Sequence, residues 1–211
     1  MKIYDISVLL NPDTVVYWPG TEKLIITQTH HVSQDGYNES HFKMNCHLGT
    51  HFDTSSHFIE NAYVTQDYSI DRFIGQCYVI NALGESSITA DLLKEKKIPE
   101  NITKLLIRCN DLFSEDLQNF NTNYVALNQS AADWIVNREI DLVGIDYLSV
   151  ELYKNDHFKV HKTLLKNGII VLESLNLYSI DEGIYNLYAL PLKLYDTEAS
   201  PVRAVLIKED L

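Results

Sequence analysis

The eleven residues His47 to His57, His-Leu-Gly-Thr-His-Phe-Asp-Thr-Ser-Ser-His, constrain this chain more than any other stretch. Three imidazoles and a carboxylate crowd into one short segment, and half of the chain's eight histidines lie either here or at His161. Imidazole nitrogen and carboxylate oxygen suit a borderline divalent cation such as zinc or manganese. A lone histidine is more often a structural residue than a ligand. Four metal-type side chains this close together turn that balance toward a metal site. His51 and Asp53 are two apart and share one face of an extended strand. His47 precedes His51 by four, a helical spacing, but Gly49 and Thr50 between them disfavour a regular helix. The segment reads as a strand end running into a loop, with a bend bringing the ligands together.

A second stretch carries related chemistry. His161 sits in the first turn of a short predicted helix that stops at Asn167-Gly168. The chain then runs out as an apolar strand, Ile169 to Leu172, and ends on Glu173. A carboxylate after four apolar residues needs a partner, because burying it unpaired costs several kcal/mol. A metal ion is one such partner and solvent is the ordinary one. Together the two segments suggest a two-metal site, in which ions ~3.5–4 Å apart share a bridging ligand.

The rest of the chain reads as one domain, residues 1–211, without repeats or linkers. Predicted strands are Ile3–Val8, Leu24–His31, Asn38–Cys46, Cys77–Asn81, Lys104–Arg108, Leu142–Ile145, Ile169–Leu172, Ile184–Leu190 and Arg203–Ile207. The second and third are joined by a hairpin signal at Gln34–Tyr37, and the third feeds the His47 segment directly. Short helices are predicted at Ala90–Lys97 after Thr89, Ser130–Asn137 after Asn128, and Val160–Lys166. Strands outnumber helices, which predicts a mixed α/β domain with a large β component.

Composition excludes some classes. A net charge of −12, with no basic stripe, repels nucleic acid. No stretch approaches the ~18 apolar residues of a membrane span, and no targeting segment is evident. Cys46, Cys77 and Cys109 are odd in number and far apart, which fits unpaired thiols in a reducing cytoplasm. Each is expected to pack as a small apolar residue, Cys46 alternatively lying behind the metal ligands. His30, His31, His41 and His157 read as ordinary polar residues. Asp146 and Glu151 read either as pocket residues or as loop carboxylates, which are usually solvated. Arg203 reads either as an anchor for a carboxylate or as a turn holder.

The chain resembles the cyclase-type metal-dependent hydrolases, a family that includes bacterial kynurenine formamidase and isatin hydrolase. The resemblance is carried by the pattern His-x-Gly-Thr-His-x-Asp-x-Pro-x-His at His47–His57. Six further landmarks follow in family order: Asp5-Ile6-Ser7, Trp18-Pro19-Gly20, Gly144-Ile145-Asp146, His161 to Glu173, Ala189-Leu190-Pro191-Leu192 and Ala199 to Ala204. It implies an α/β fold of the swivelling β/β/α type, in homodimers or higher homo-oligomers. It implies that His47, His51 and Asp53 bind a first metal, that Asp53 also bridges to a second, that His161 binds the second and that Glu173 is shared. His57 matches the catalytic acid/base and Trp18 a residue lining the substrate pocket. The implied reaction is hydrolysis of a carbon–nitrogen bond in a small amide, formamide or cyclic amide by metal-activated hydroxide. The implied cofactors are two divalent ions, zinc first and manganese second.

Three departures bear on specificity. Serine replaces the motif proline at position 55, and is expected to leave that loop freer unless another group fixes it. Thr21 stands where an aspartate commonly follows Trp-Pro-Gly. The loop Asp-Thr-Pro-Ser-x-Asp of the arylformamidases reads Asp146-Tyr-Leu-Ser-Val-Glu151 here. These differences leave open a lactone hydrolase or lyase using the same metals, or a metal-bearing binding protein without turnover. The intact His57 speaks against the last.

Overall fold

Four parallel strands form the spine of the protein: β5 (Ile74–Asn81), β6 (Lys104–Arg108), β7 (Leu142–Ile145) and β8 (Ile170–Glu173). Each parallel step needs a crossover. The three crossovers carry helices α2 (Ala90–Glu95), α3 (Gln129–Asn137) and α4 (Lys159–Lys166). Thr89 caps α2 through the Leu92 N–H, and Asn128 caps α3 through the Ala131 N–H, as their residue types predict. The computed structural model describes residues 1–110, 120–153 and 155–209, the Asp156 side chain apart.

The sheet continues antiparallel and closes. β8 pairs with β4 (His51–Asp53), β4 with β10 (Ala199–Lys208), β10 with β9 (Gly183–Pro191), and β9 returns to β5. Among the described residues this makes a seven-stranded mixed barrel, with β1 (Lys2–Asp5) added to the outer edge of β10. The expected mixed α/β architecture with a large β component is therefore present.

Two cores follow from the period of two along the strands. Leu106, Leu142, Ile170 and Leu172 point into the barrel, where they meet Phe52, Phe73, Leu187 and Leu206. Leu105, Ile107, Val143, Ile145 and Val171 point outward against the α2, α3 and α4 helices. Burial on both faces explains the unbroken apolar runs of β6 to β8. By contrast, β9 buries Tyr185, Leu187 and Ala189 but exposes Ile184, Tyr188 and Leu190. Gly144 has no room for a side chain: a Cβ there would lie 2.6 Å from Leu106 Cδ2 and 2.7 Å from Leu175 Cδ1.

A separate hairpin stands apart from the barrel. Among the described residues its strands β2 (Ile25–His30) and β3 (Glu39–Lys43) pair only with each other, and they are exposed along nearly their whole length. A single helical turn, α1 (Val32–Asp35), and Gly36 at φ 80° connect them. This corrects one expectation. The third strand does not feed the histidine segment directly; it ends at Lys43, the chain turns, and His51–Asp53 forms a new strand in the barrel.

Candidate metal centre

The turn before β4 is built by local polar contacts. Asn45 Oδ1 accepts the His47 N–H at 2.8 Å, and the Asn45 carbonyl accepts the Leu48 N–H at 3.1 Å. Gly49 adopts φ +69°, and a Cβ there would lie 2.5 Å from Leu10 Cδ2. Thr50 Oγ1 accepts the Val8 N–H at 2.8 Å and donates to the Ser174 carbonyl at 2.6 Å, which pins the turn to the end of β8. β4 then presents His51 and Asp53 on one face while Phe52 fills the barrel behind them. His51 lies directly opposite Glu173 across the β4–β8 ladder, and α4 carries His161 to the same point.

The donor atoms converge. His47 Nδ1 lies 2.9 Å from Asp53 Oδ1, and His51 Nε2 lies 3.3 Å from the same oxygen. His51 Nε2 is 3.5 Å from Glu173 Oε2, His161 Nε2 is 3.1 Å from Glu173 Oε1, and His161 Nε2 is 3.9 Å from Asp53 Oδ2. They form two groups, His47/His51/Asp53 and Asp53/His161/Glu173, each with its donor atoms within 4.8 Å of one another. His51 and Asp53 are each 1% exposed. Even so, His51 Nε2 and both Asp53 oxygens have no aligned hydrogen-bond partner. Leaving such atoms buried and unmatched costs about 1–3 kcal/mol each, more when charged. Divalent cations between these nitrogens and oxygens remove that cost, so the residues fit the metal site that the chain's motif implies.

The outer nitrogens of His51 and His161 are also held. His51 Nδ1 donates to the Gly49 carbonyl at 2.8 Å, which leaves Nε2 bare toward the cluster. His161 Nδ1 meets Glu151 Oε2 at 2.8 Å. Glu151 also accepts the Val160 and His161 N–H groups, at 3.2 Å each. It thus serves as the missing cap of α4, whose N-cap residue Phe158 makes no side-chain bond. His47 Nε2 lies 3.3 Å from Glu198 Oε1. The Val150 N–H donates to Glu173 Oε1 at 2.8 Å.

The electrostatics follow from this crowding. Burial alone would lower the three imidazoles, but the adjoining carboxylates outweigh it. Without an ion, His47 is pushed up to about 9 by Asp53 and Glu198, and His51 and His161 are pushed up to about 10. Burial would raise Asp53, yet its imidazole neighbours hold it well below the carboxylate range. His57 goes the other way. Burial lowers it, His47 and His161 add to that, and Asp53 and Glu173 oppose it without reversing it. His57 is therefore neutral at pH 7.

His57 ends the short 3-10 turn Ser55–His57. Its ring centroid is 4.2 Å from that of His47 and 6.5 Å from that of His161, and it belongs to neither donor group. It faces a cavity of about 350 Å³, lined also by Trp18, Phe58, Leu148, Phe158 and Glu173. Among the described residues no lysine or arginine lines this cavity. Trp18 is held edge-on against Phe120 at 4.9 Å.

The structure thus brings together all five sequence-predicted ligands, places His57 beside them and puts Trp18 in the cavity wall. Glu151 differs from its reading as a solvated carboxylate: it is 3% exposed and holds His161. Its sequence signal was its place between Val150 and Leu152, the same apolar context that singled out Glu173. Glu198 had no such signal. Asp146 is also buried, and accepts the Cys109 and Asn110 N–H groups. Arg203 holds Asp5 at 3.0 Å, tying β10 to β1. His30 and His41 lie on the hairpin beside Glu39 and belong to neither donor group.

Comparison with known proteins agrees with this geometry. Residues 4–152 match the Cyclase family. The chain is 31% identical over 206 residues to a kynurenine formamidase of Erythrobacter litoralis, covering 97% of this chain and 93% of that one. It is 36% identical over 180 residues to cyclase-like protein 3 of Oryza sativa subsp. japonica, covering 81% of this chain but only 66% of that longer relative. A solved structure described as a potential metal-dependent hydrolase with cyclase activity superposes with a TM-score of 0.84 at 28% identity, covering 99% of both chains. An isatin hydrolase bound to thioisatinate shares the fold, with a TM-score of 0.83 at 21% identity over 97% of this chain and 91% of that one.

Two outcomes are expected. Glu151→Gln weakens zinc binding about 10- to 100-fold, as loss of an outer acceptor does elsewhere; competition with a chromophoric chelator measures it. The raised imidazoles are protonated at pH 7 in the ion-free protein, and each must lose a proton to bind a metal. Metal affinity therefore rises between pH 6 and 9, and loading at pH 7 releases protons. Calorimetry in buffers of different ionisation enthalpy reads that release.

Proposed function

The chain belongs to the cyclase family of metal-dependent hydrolases, and on that premise we propose that it hydrolyses a carbon–nitrogen bond in a small amide, formamide or cyclic amide. The observation that carries this reading is the convergence of five imidazole and carboxylate side chains, in which His51 Nε2 and both Asp53 oxygens are buried without an aligned hydrogen bond among the described residues, beside His57, which opens onto a cavity. His47, His51 and Asp53 would hold one divalent ion, and His161 and Glu173 a second, with Asp53 and Glu173 shared. Zinc suits the donors best and manganese next. Such ions polarise a carbonyl and make water acidic enough to react at neutral pH.

The chain's own residues do the rest. His57 takes a proton from the attacking water and returns it to the departing nitrogen, a task suited to an imidazole that is neutral at rest. The rings of Trp18, Phe58 and Phe158 favour a flat, apolar acyl or aryl group, and the absence of a described cation in the lining disfavours an anionic one. The swivelling β/β/α arrangement implied by the motif belongs to the same reading, supported by the closed barrel with helices on one side.

Two further placements accompany it. The exposed β2–β3 hairpin carries Ile25, Ile26 and Phe42 into solvent, and an isolated two-stranded sheet is marginal alone. This supports assembly into a homodimer or larger homo-oligomer. Light scattering on the eluting protein should give at least twice the 24.2 kDa chain mass, and a monomer would remove the proposal. The free thiols Cys46, Cys77 and Cys109 support a cytoplasmic setting, which cell fractionation checks.

A panel of aryl formamides, cyclic amides and lactones tests the reaction. Turnover on the amides alone supports the proposal, while turnover confined to lactones favours an esterase-type enzyme. His57→Ala should lower kcat about 10²- to 10⁴-fold while elemental analysis still finds two metal equivalents per chain. Unchanged turnover in that variant would remove the role given to His57.

A further inference from the structure

Among the described residues His57 has no hydrogen-bond partner that fixes its ring; it is held by tilted ring contacts with His47 and Phe58, with centroids 4.2 and 4.1 Å away. Its position is therefore set by the backbone of the Ser55–His57 turn. That turn begins with Thr54 extended, at φ −94° and ψ 166°, and Ser55 is its first helical residue. At this position the N–H has no partner within a helix, which is why proline is welcome there. Serine keeps the N–H, and the structure shows what takes it up. The Ser55 N–H donates to Tyr68 Oη at 2.9 Å. Ser55 Oγ lies 3.0 Å from the same phenol oxygen and donates to the Leu165 carbonyl at 2.9 Å. Ser55 is buried, so these bonds have little competition from water.

We propose that Ser55 and Tyr68 are positioning residues for His57: together they hold its turn in register with the metal-binding strand and helix. The connections run to both. Leu165 lies in the last turn of α4, the helix that carries His161. The Tyr68 ring packs edge-on against Phe52 at 5.6 Å, and Phe52 sits between His51 and Asp53 on β4. One phenol and one hydroxyl thus join the His57 turn to the elements bearing three ligands. Another group does fix this loop in place of the ring: Tyr68 and the Leu165 carbonyl hold Ser55 through three hydrogen bonds. Other ties help, since the Ser56 N–H donates to the Tyr63 carbonyl at 3.0 Å and Thr54 Oγ1 donates to the Glu198 carbonyl at 2.9 Å. Of these hydrogen bonds, only the one from Ser55 Oγ reaches α4.

This inference rests on the acid/base role of His57, and its test separates the two. The metal-loaded protein is compared with Tyr68→Phe, Ser55→Ala, Ser55→Pro and the Ser55→Pro/Tyr68→Phe double variant. The first readout is the imidazole Cε1–H resonance of His57, assigned by its loss in His57→Ala. It should shift and broaden in Tyr68→Phe and in Ser55→Ala, while the resonances of the ligand histidines and the metal content stay in place. The second readout is turnover on the best substrate of the panel. Tyr68→Phe should lower kcat about tenfold to a hundredfold, the scale of a misplaced catalytic group, with KM little changed. In the Ser55→Pro background no N–H is left to pair, so the same Tyr68→Phe change should cost under about twofold, the mark of two groups acting through one bond. An unmoved His57 resonance in both single variants overturns the proposal, as does an equal loss from Tyr68→Phe in both backgrounds. A moved resonance with no turnover on any amide sinks the amidase reading and leaves the anchor standing.

Discussion

Asp53 is the residue on which the rest of this structure depends. It is buried among three imidazoles and belongs to both donor groups. A carboxylate taken out of water is tolerated only when nearby positive charge replaces its hydration. Each surrounding feature answers that demand. β4 is short and straight so that His51 and Asp53 share a face. The tight turn at Gly49 returns His47 to the same oxygen. The helix α4 delivers His161 by its first turn, with Glu151 behind it. The barrel core beneath keeps water out.

Much of this was readable along the chain, for reasons that differ by element. β6 and β7 match their predicted limits because both faces are buried and the apolar runs have sharp ends. The helix caps Thr89 and Asn128 are local chemistry and were equally legible. The ligands were visible because five metal-type side chains lie in two compact segments. β4 was less so: three residues, two of them polar ligands, give no apolar alternation. β10 begins four residues before its predicted start because its first part pairs with β4 and only Val202 onward pairs with β9. Pro201 falls at that change of partner, where one ladder hands over to the other. Glu198 and the Ser55–Tyr68 contact were hidden, and with them the partner of Glu151, because each depends on how separate elements meet in the fold. Their polarity looks like that of any loop until the fold closes over them.

The barrel divides its labour along the direction of its strands. Where strands run parallel, helices cover the outside and the interior is fully dry. Where they run antiparallel, β9 and the neighbouring part of β10 leave one face to solvent. Three of the five clustered donors, His51, Asp53 and Glu173, sit at the seam, on β4 and β8, the first antiparallel pair after the parallel run. At that seam His51 and Glu173 are cross-strand neighbours, so their spacing is set by the ladder itself, a few ångströms with little freedom.

Phe52 gives this arrangement a history as well as a shape. Its ring lies inside the barrel while the residues on either side of it, His51 and Asp53, belong to the donor cluster, so any repacking of the interior moves donor positions. Trp18, Leu148 and Phe158 come from connecting segments outside the ladder and touch the barrel filling little. The two sides of the cavity therefore tolerate mutation at different tempos. Descendants of such a chain can trade one aromatic wall for another and acquire new substrates, while the reactive side is inherited together with the core.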